Sequence, residues 1–151
     1  NGIGHRWRFK DLKLVGDFTY SGEGWGLCTD DESLIMSDGT DTLRFVGPTD
    51  LKVKRLLPVT LDGQSLWNLN ELEFIRGEIW ANVYQRELIV RIDPETGKVN
   101  SVIDLDGLQA KQRVPDQAQD VLNGIAYDAQ KDKIYITGKH WPNLYEIRVD
   151  E

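Results

Sequence analysis

Residues able to do chemistry recur in this chain at matching places of one repeated pattern. Trp25-Gly26-Leu27, Asn70-Glu71-Leu72 and Asn123-Gly124-Ile125 open successive copies, with Trp first in one copy and Asn first in the other two. An indole can wall a pocket that excludes water, and a carboxamide can donate to an oxyanion or accept from an amine. Glu23 and Glu71 bring carboxylates able to move protons, and Lys139 brings an ammonium able to face developing negative charge. Tyr84, directly after Ala81-Asn82-Val83, offers a second aromatic wall. Each also has a plainer use. Trp25 and Tyr84 suit a strand-packed core, and Asn70 and Asn123 can satisfy backbone groups at strand ends. Glu23 between two glycines and Lys139 in Gly138-Lys139-His140-Trp141-Pro142 can simply be solvated in turns. Glu71 and Glu73 alternate with Leu72 and Phe74, as on a strand with one wet face.

Other chemistries find little footing. His5 and His140 are far apart, and neither has metal-ligand spacing to another His or Cys. There is no glycine-rich phosphate loop, no G-x-S-x-G elbow and no EF-hand calcium loop. The acidic clusters Asp30-Asp31-Glu32 and Asp38 to Asp41 fall at hairpin turns, where solvated carboxylates are expected. Cys28 is the single cysteine, which excludes an intrachain disulfide and reads as a buried structural thiol. A net charge of −7 argues against nucleic acid and anionic membrane surfaces as partners. The longest apolar stretches are strand-length, so no membrane-spanning segment is expected.

The elements that must position these residues are strands. After each opening motif the chain passes a turn into a second strand (33–37, 78–82, 133–137) and then a third (42–46, 88–92, 144–149). The first two copies add a fourth, through 50–57 and 93–103. Asp38-Gly39, Asp62-Gly63 and Asp93-Pro94-Glu95-Thr96-Gly97 are turn signals, and helical periodicity reaches only a single turn near 108–112. A repeat of about 45 residues with four strands is the pattern of a β-propeller blade. The expectation is therefore an all-β domain over 1–151: three blades, a remnant of a preceding blade at 1–20 reading as outer strands, and an inserted loop at 107–120. Trp67, Trp80 and Trp141 are expected to pack between blades. Three blades cannot close a ring, so either a longer protein or a second chain, by association or self-association, is expected to complete it.

Several motifs in register carry a more specific likeness. Gly22-Glu23-Gly24-Trp25-Gly26-Leu27, Leu69-Asn70-Glu71-Leu72-Glu73, Ile79-Trp80-Ala81-Asn82-Val83, Leu122-Asn123-Gly124-Ile125-Ala126 and Thr137-Gly138-Lys139-His140-Trp141-Pro142 together resemble the plant and bacterial type of glutaminyl cyclase (glutamine cyclotransferase). The resemblance spans 13–149 and covers roughly the C-terminal three-fifths of that family's domain. It implies a five-bladed propeller that turns an N-terminal glutamine of a peptide or protein into pyroglutamate. Ammonia is released without metal or cofactor, and a secreted or periplasmic location goes with the family. The matching positions make Asn70, Lys139, Glu23 and Glu71 the candidate catalytic residues and Trp25, Tyr84 and Asn123 the candidate substrate-binding ones. At Tyr84 the family more often has tryptophan. Such a reaction requires a neutral α-amine folded back onto its own side-chain amide, an oxyanion stabilised and a proton given to departing ammonia. A non-catalytic propeller module that binds peptides, or an inactive propeller fragment, is the alternative.

Overall fold

The computed structural model describes residues 2–149. They form strands joined by turns, with one short 3-10 turn at Gln109–Lys111. An N-terminal hairpin pairs β1 (Ile3–Arg8) with β2 (Lys13–Thr19). The first sheet is a meander of β3 (Gly26–Thr29), β4 (Leu34–Ser37), β5 (Thr42–Val46) and β6 (Val53–Pro58). A two-stranded hairpin, β7 (Thr60–Leu61) and β8 (Gln64–Ser65), leads into the second sheet. That sheet is a meander of β9 (Leu69–Ile75), β10 (Glu78–Val83), β11 (Leu88–Ile92) and β12 (Val99–Asp104). The third holds β13 (Leu122–Asp128), β14 (Lys133–Gly138) and β15 (Tyr145–Ile147). All ladders are antiparallel, and the expected four, four and three strands per copy are present.

Sequence explains why these sheets stack. β10 is buried at five successive positions, and consecutive side chains serve two different cores. Ile79, Ala81 and Val83 join the core between the first and second sheets, with Ile35, Leu43 and Val90. Trp80 turns the other way, into the core between the second and third sheets, with Ile89, Ile134 and Ile136. A strand covered on both faces must read as a continuous apolar run. Each fully buried aliphatic side chain is worth about 1.5–3 kcal/mol of transfer free energy.

Turn chemistry fixes the connections. Asp62 and Gly63 both have positive φ (51° and 78°), as the two-residue link between β7 and β8 requires. In the β11–β12 turn, Asp93 Oδ1 accepts the N–H groups of Glu95 (3.0 Å) and Thr96 (2.7 Å). Gly97 then takes φ 72° with its Cα against the Pro58 carbonyl, where a side chain would not fit.

Two expectations need adjusting. Trp80 and Trp141 are buried as expected, but Trp67 is 56% exposed, because it sits in the connection between β8 and β9 rather than on a strand. The Asp62-Gly63 turn signal closes a short hairpin, β7–β8, whose strands went unread because at two residues they are below the length at which alternation can be seen. The 107–120 segment is a loop, tied down by Gln112, which is 3% exposed and donates through Nε2 to Leu108 O and Tyr145 Oη.

Candidate active site

The innermost strands β3, β9 and β13 lie side by side, and their N-terminal ends converge on a pocket of about 350 Å³. Its lining is Trp25, Asn70, Tyr84, Asn123 and Lys139. Five of the seven candidate residues thus meet, drawn from three sheets.

Backbone irregularities aim two of them. In β9 the register passes from Leu72↔Ala81 to Leu69↔Val83, so one extra residue is accommodated at Asn70-Glu71. In β13 it passes from Leu122↔Gly138 to Ile125↔Ile136, an extra residue at Asn123-Gly124. A bulge re-aims a side chain that regular alternation would send elsewhere. The same device at the same repeat position turns both asparagines toward the pocket.

Neighbouring contacts pin the frame. Asn70 is 5% exposed, its carbonyl accepts the Ser37 hydroxyl at 2.5 Å, and Gly26 packs against that carbonyl with no room for a Cβ. Trp25 donates its backbone N–H to Ser37 O (3.0 Å), and its ring covers Gly39, where a Cβ would strike the indole. Its Nε1 donates to Glu23 Oε2 at 2.7 Å. Tyr84 follows β10 directly, donates its N–H to Asn68 O (2.8 Å), and meets Trp25 edge-on with centroids 5.6 Å apart. Lys139 follows β14, donates its N–H to Val121 O (2.9 Å), and holds Nζ 4.9 Å from the Tyr84 ring centroid. That is a cation–π distance, which steadies a flexible ammonium over the pocket.

The remaining candidates, Glu23 and Glu71, stand beside this lining rather than in it. Glu23 is bound to Trp25 and orients the indole. Glu71 accepts the Ile125 N–H at 2.9 Å, and Glu73 the Tyr127 N–H at 3.1 Å, so the two carboxylates strap β9 to β13. Burial pushes the Glu71 carboxyl up to about 7, against the pull of the Ile125 hydrogen bond and with the help of Glu73. Burial raises Glu73 as well.

Sequence reasoning passed over three residues that hold this site. Asn82, on β10, accepts the Gly124 N–H at 2.9 Å and so grips the β13 bulge. Gln119 accepts from the Tyr84 hydroxyl at 3.3 Å. Asp120, 4% exposed, anchors the Lys139 turn: its carbonyl accepts Trp141 Nε1 (2.7 Å) and its carboxylate meets His140 Nδ1 (2.7 Å). The Asp116 N–H, then His140, hold that carboxyl below its ordinary range. The available signal was position: Asn82 lies in a motif already noted, and Gln119 and Asp120 close the insertion.

A larger cavity of about 650 Å³ lies between the β1–β2 hairpin and the first sheet, lined by Trp7, Phe18, Tyr20, Leu27 and Met36 among others. Its lining is mainly apolar, with His5 and Arg6 also on it. Among the described residues, no group of three or more His, Cys, Asp or Glu is placed to hold a metal ion. Among the described residues no helix is long and apolar enough to cross a membrane.

A model of the glutamine cyclotransferase family matches residues 1–149. The chain belongs to that family. It is 39% identical over 150 residues to a glutaminyl-peptide cyclotransferase of Arabidopsis thaliana, a match covering 98% of this chain and 47% of the plant protein. The crystal structure of Myxococcus xanthus glutaminyl cyclase superposes with a TM-score of 0.93 at 38% identity, covering 99% of this chain and 65% of that one. The WD40 β-propeller domain of Doa1 superposes with a TM-score of 0.55 at 15% identity, over 93% of this chain and 42% of that one. The last likeness bears on fold alone: an all-β, propeller-like stack of sheets. This cyclotransferase-family chain spans about half the length of the plant relative and just under two thirds of the bacterial one.

Proposed function

We propose that this chain carries the catalytic pocket of a glutaminyl cyclase that converts the N-terminal glutamine of a peptide or protein into pyroglutamate, using no metal. The carrying observation is the convergence, from three sheets, of two aromatic walls, two amides and one ammonium on a single pocket in a member of this family. The pocket is of a size to take one folded-back glutaminyl residue.

The chemistry follows from those groups. The α-amine attacks the γ-amide carbon; an N–C bond forms, the oxygen gains charge, the proton lost by the attacking nitrogen passes to the amide nitrogen, and the bond to that nitrogen breaks as the oxyanion collapses to the carbonyl, releasing ammonia. The amine must be neutral to attack, and its ordinary pKa is near 8. A fixed cation beside it disfavours the ammonium form, so Lys139 enlarges the reactive fraction. Lys139 Nζ and Asn70 Nδ2 donate to the developing oxyanion, an effect strengthened by Trp25 and Tyr84 excluding water. Asn123 completes the lining, and Glu23 keeps the indole upright. Glu71 acts on the frame, bracing β9 against β13.

The ring is proposed to be five-bladed. The missing sheets would come from a longer protein or an associating chain and would cover the face that now exposes Leu27 (56%) and Trp7 (58%).

The test is ammonia release from a glutaminyl dipeptide amide by the protein carrying this chain, with and without Lys139→Ala. Loss of an oxyanion-stabilising group predicts a fall of about 10²–10³-fold in kcat. Specific binding of N-terminal glutamine peptides without turnover would instead favour the non-catalytic module.

A further inference from the structure

Asn82 places an amide where the fold leaves no exposure: it is 0% accessible on β10. Its Oδ1 is committed to the Gly124 N–H at 2.9 Å, and its Nδ2 has no hydrogen-bond partner among the described residues. Next to Gly124, Asn123 shows the opposite deficit. It borders the pocket, yet its Oδ1 is buried with no partner. A buried polar group left unpaired costs about 1–3 kcal/mol. Here an orphaned donor sits on Asn82 and an orphaned acceptor on Asn123, the chain neighbour of the Gly124 that Asn82 holds; the two amides are not hydrogen-bonded as placed, and pairing them would relieve both. Asn82 cannot turn its amide round, because the Gly124 N–H needs its oxygen. Pairing with Asn82 Nδ2 would set the sense of Asn123 in turn: oxygen inward, amide NH₂ outward toward the pocket.

The geometry points to Asn123 as a hydrogen-bond donor to the reacting γ-amide oxygen, held in that sense by Asn82, a positioning residue that itself touches no substrate. The inference rests on the cyclase reading of the pocket and deepens it. It gives the developing oxyanion a third donor beside Asn70 and Lys139. It also explains why the third sheet repeats the bulge of the second: without the extra residue at Asn123-Gly124, regular alternation would not present both the Gly124 N–H and the Asn123 carboxamide to their partners.

The test compares Asn123→Ala, Asn82→Asp and their combination in the protein carrying this chain. Asn82→Asp keeps an oxygen for Gly124 but replaces the inner donor with an acceptor, which turns the Asn123 amide round. Each single change is expected to lower kcat on a glutaminyl dipeptide amide by about 10²-fold with little change in KM. The double variant is expected to be no slower than Asn123→Ala alone, since the two act through one amide. Asn82→Leu, of similar volume, serves if a buried aspartate prevents folding, and the same non-additivity is expected. Exchange of the Asn123 side-chain NH₂ with solvent, followed by NMR, reads its orientation without turnover: slower by about tenfold or more once Asn82→Asp turns it inward. An Asn82→Asp protein with wild-type kcat, additive losses, or unchanged exchange would each overturn the inference while leaving the cyclase reading intact. A wild-type protein that releases no ammonia would overturn the cyclase reading, and this donor role with it.

Discussion

Glu71→Gln replaces a partly buried carboxyl with a neutral side chain of the same shape that still offers an oxygen to the Ile125 N–H. Burial lifts the Glu71 pKa from 4.5 to about 7, with the Ile125 bond opposing and Glu73 adding. In the unfolded chain the group titrates near its ordinary value. Between about pH 4.5 and 7 the folded protein therefore binds more protons than the unfolded one, and stability falls as pH rises through that window. Each pKa unit is worth about 1.4 kcal/mol, so the full displacement would cost about 3 kcal/mol once the group is ionised. The side chain keeps some contact with solvent, which screens the charge and brings the expected cost to about 2 kcal/mol. The glutamine variant escapes that cost. Urea unfolding, followed by tryptophan fluorescence at pH 5 and pH 8, reads the difference directly. At pH 8 the variant should be more stable by about 2 kcal/mol, a midpoint shift of about 1 M urea at ordinary m-values. At pH 5, where the unfolded group is already mostly ionised, the gap should shrink to about 0.8 kcal/mol. A stability difference that does not change with pH, or a variant weaker than wild type at pH 8, would refute the argument. Either result would mean that Glu71 is charged in the fold and that its bond to Ile125 outweighs its burial.

Gly26→Ala places a methyl group against the Asn70 carbonyl, so β3 and β9 must separate. Thermal unfolding should show a loss of about 1–3 kcal/mol, and ammonia release should fall with it because Asn70 moves. Burial pushes the Cys28 thiol up to about 12, with Glu73, Glu71 and Asp30 adding to the effect. The native protein should therefore resist a thiol reagent at pH 8 and react once, at this single cysteine, after unfolding.

Much of the fold was legible because apolar alternation and turn chemistry are local. The bounds of β5 and β11 follow directly from runs such as Thr42–Val46 and Leu88–Ile92 between polar turns. The direction of each polar side chain was less legible. Alternation says that Asn70 and Glu71 point to opposite sides, but not which neighbouring strand waits on each side. Here both sides of β9 are covered, and a bulge resets the parity at these two residues. Five candidates were therefore found together, while Glu71, a candidate catalytic carboxylate in the sequence, stands beside the pocket and accepts the Ile125 N–H. Asn82 was invisible for a related reason: a buried polar residue in an apolar strand declares that it needs a partner, and only the three-dimensional arrangement names Gly124.

The pocket is assembled from three sheets, with Trp25 from the first, Asn70 and Tyr84 from the second, and Asn123 and Lys139 from the third. Its width is therefore not a property of any one module but of the angles at which neighbouring modules meet. A substitution deep between two sheets, far from any lining atom, can open or narrow the mouth by rotating one module against the next. Under the proposed cyclase function, selectivity for the residue that follows the glutamine would drift in this way while all five lining side chains stay unchanged.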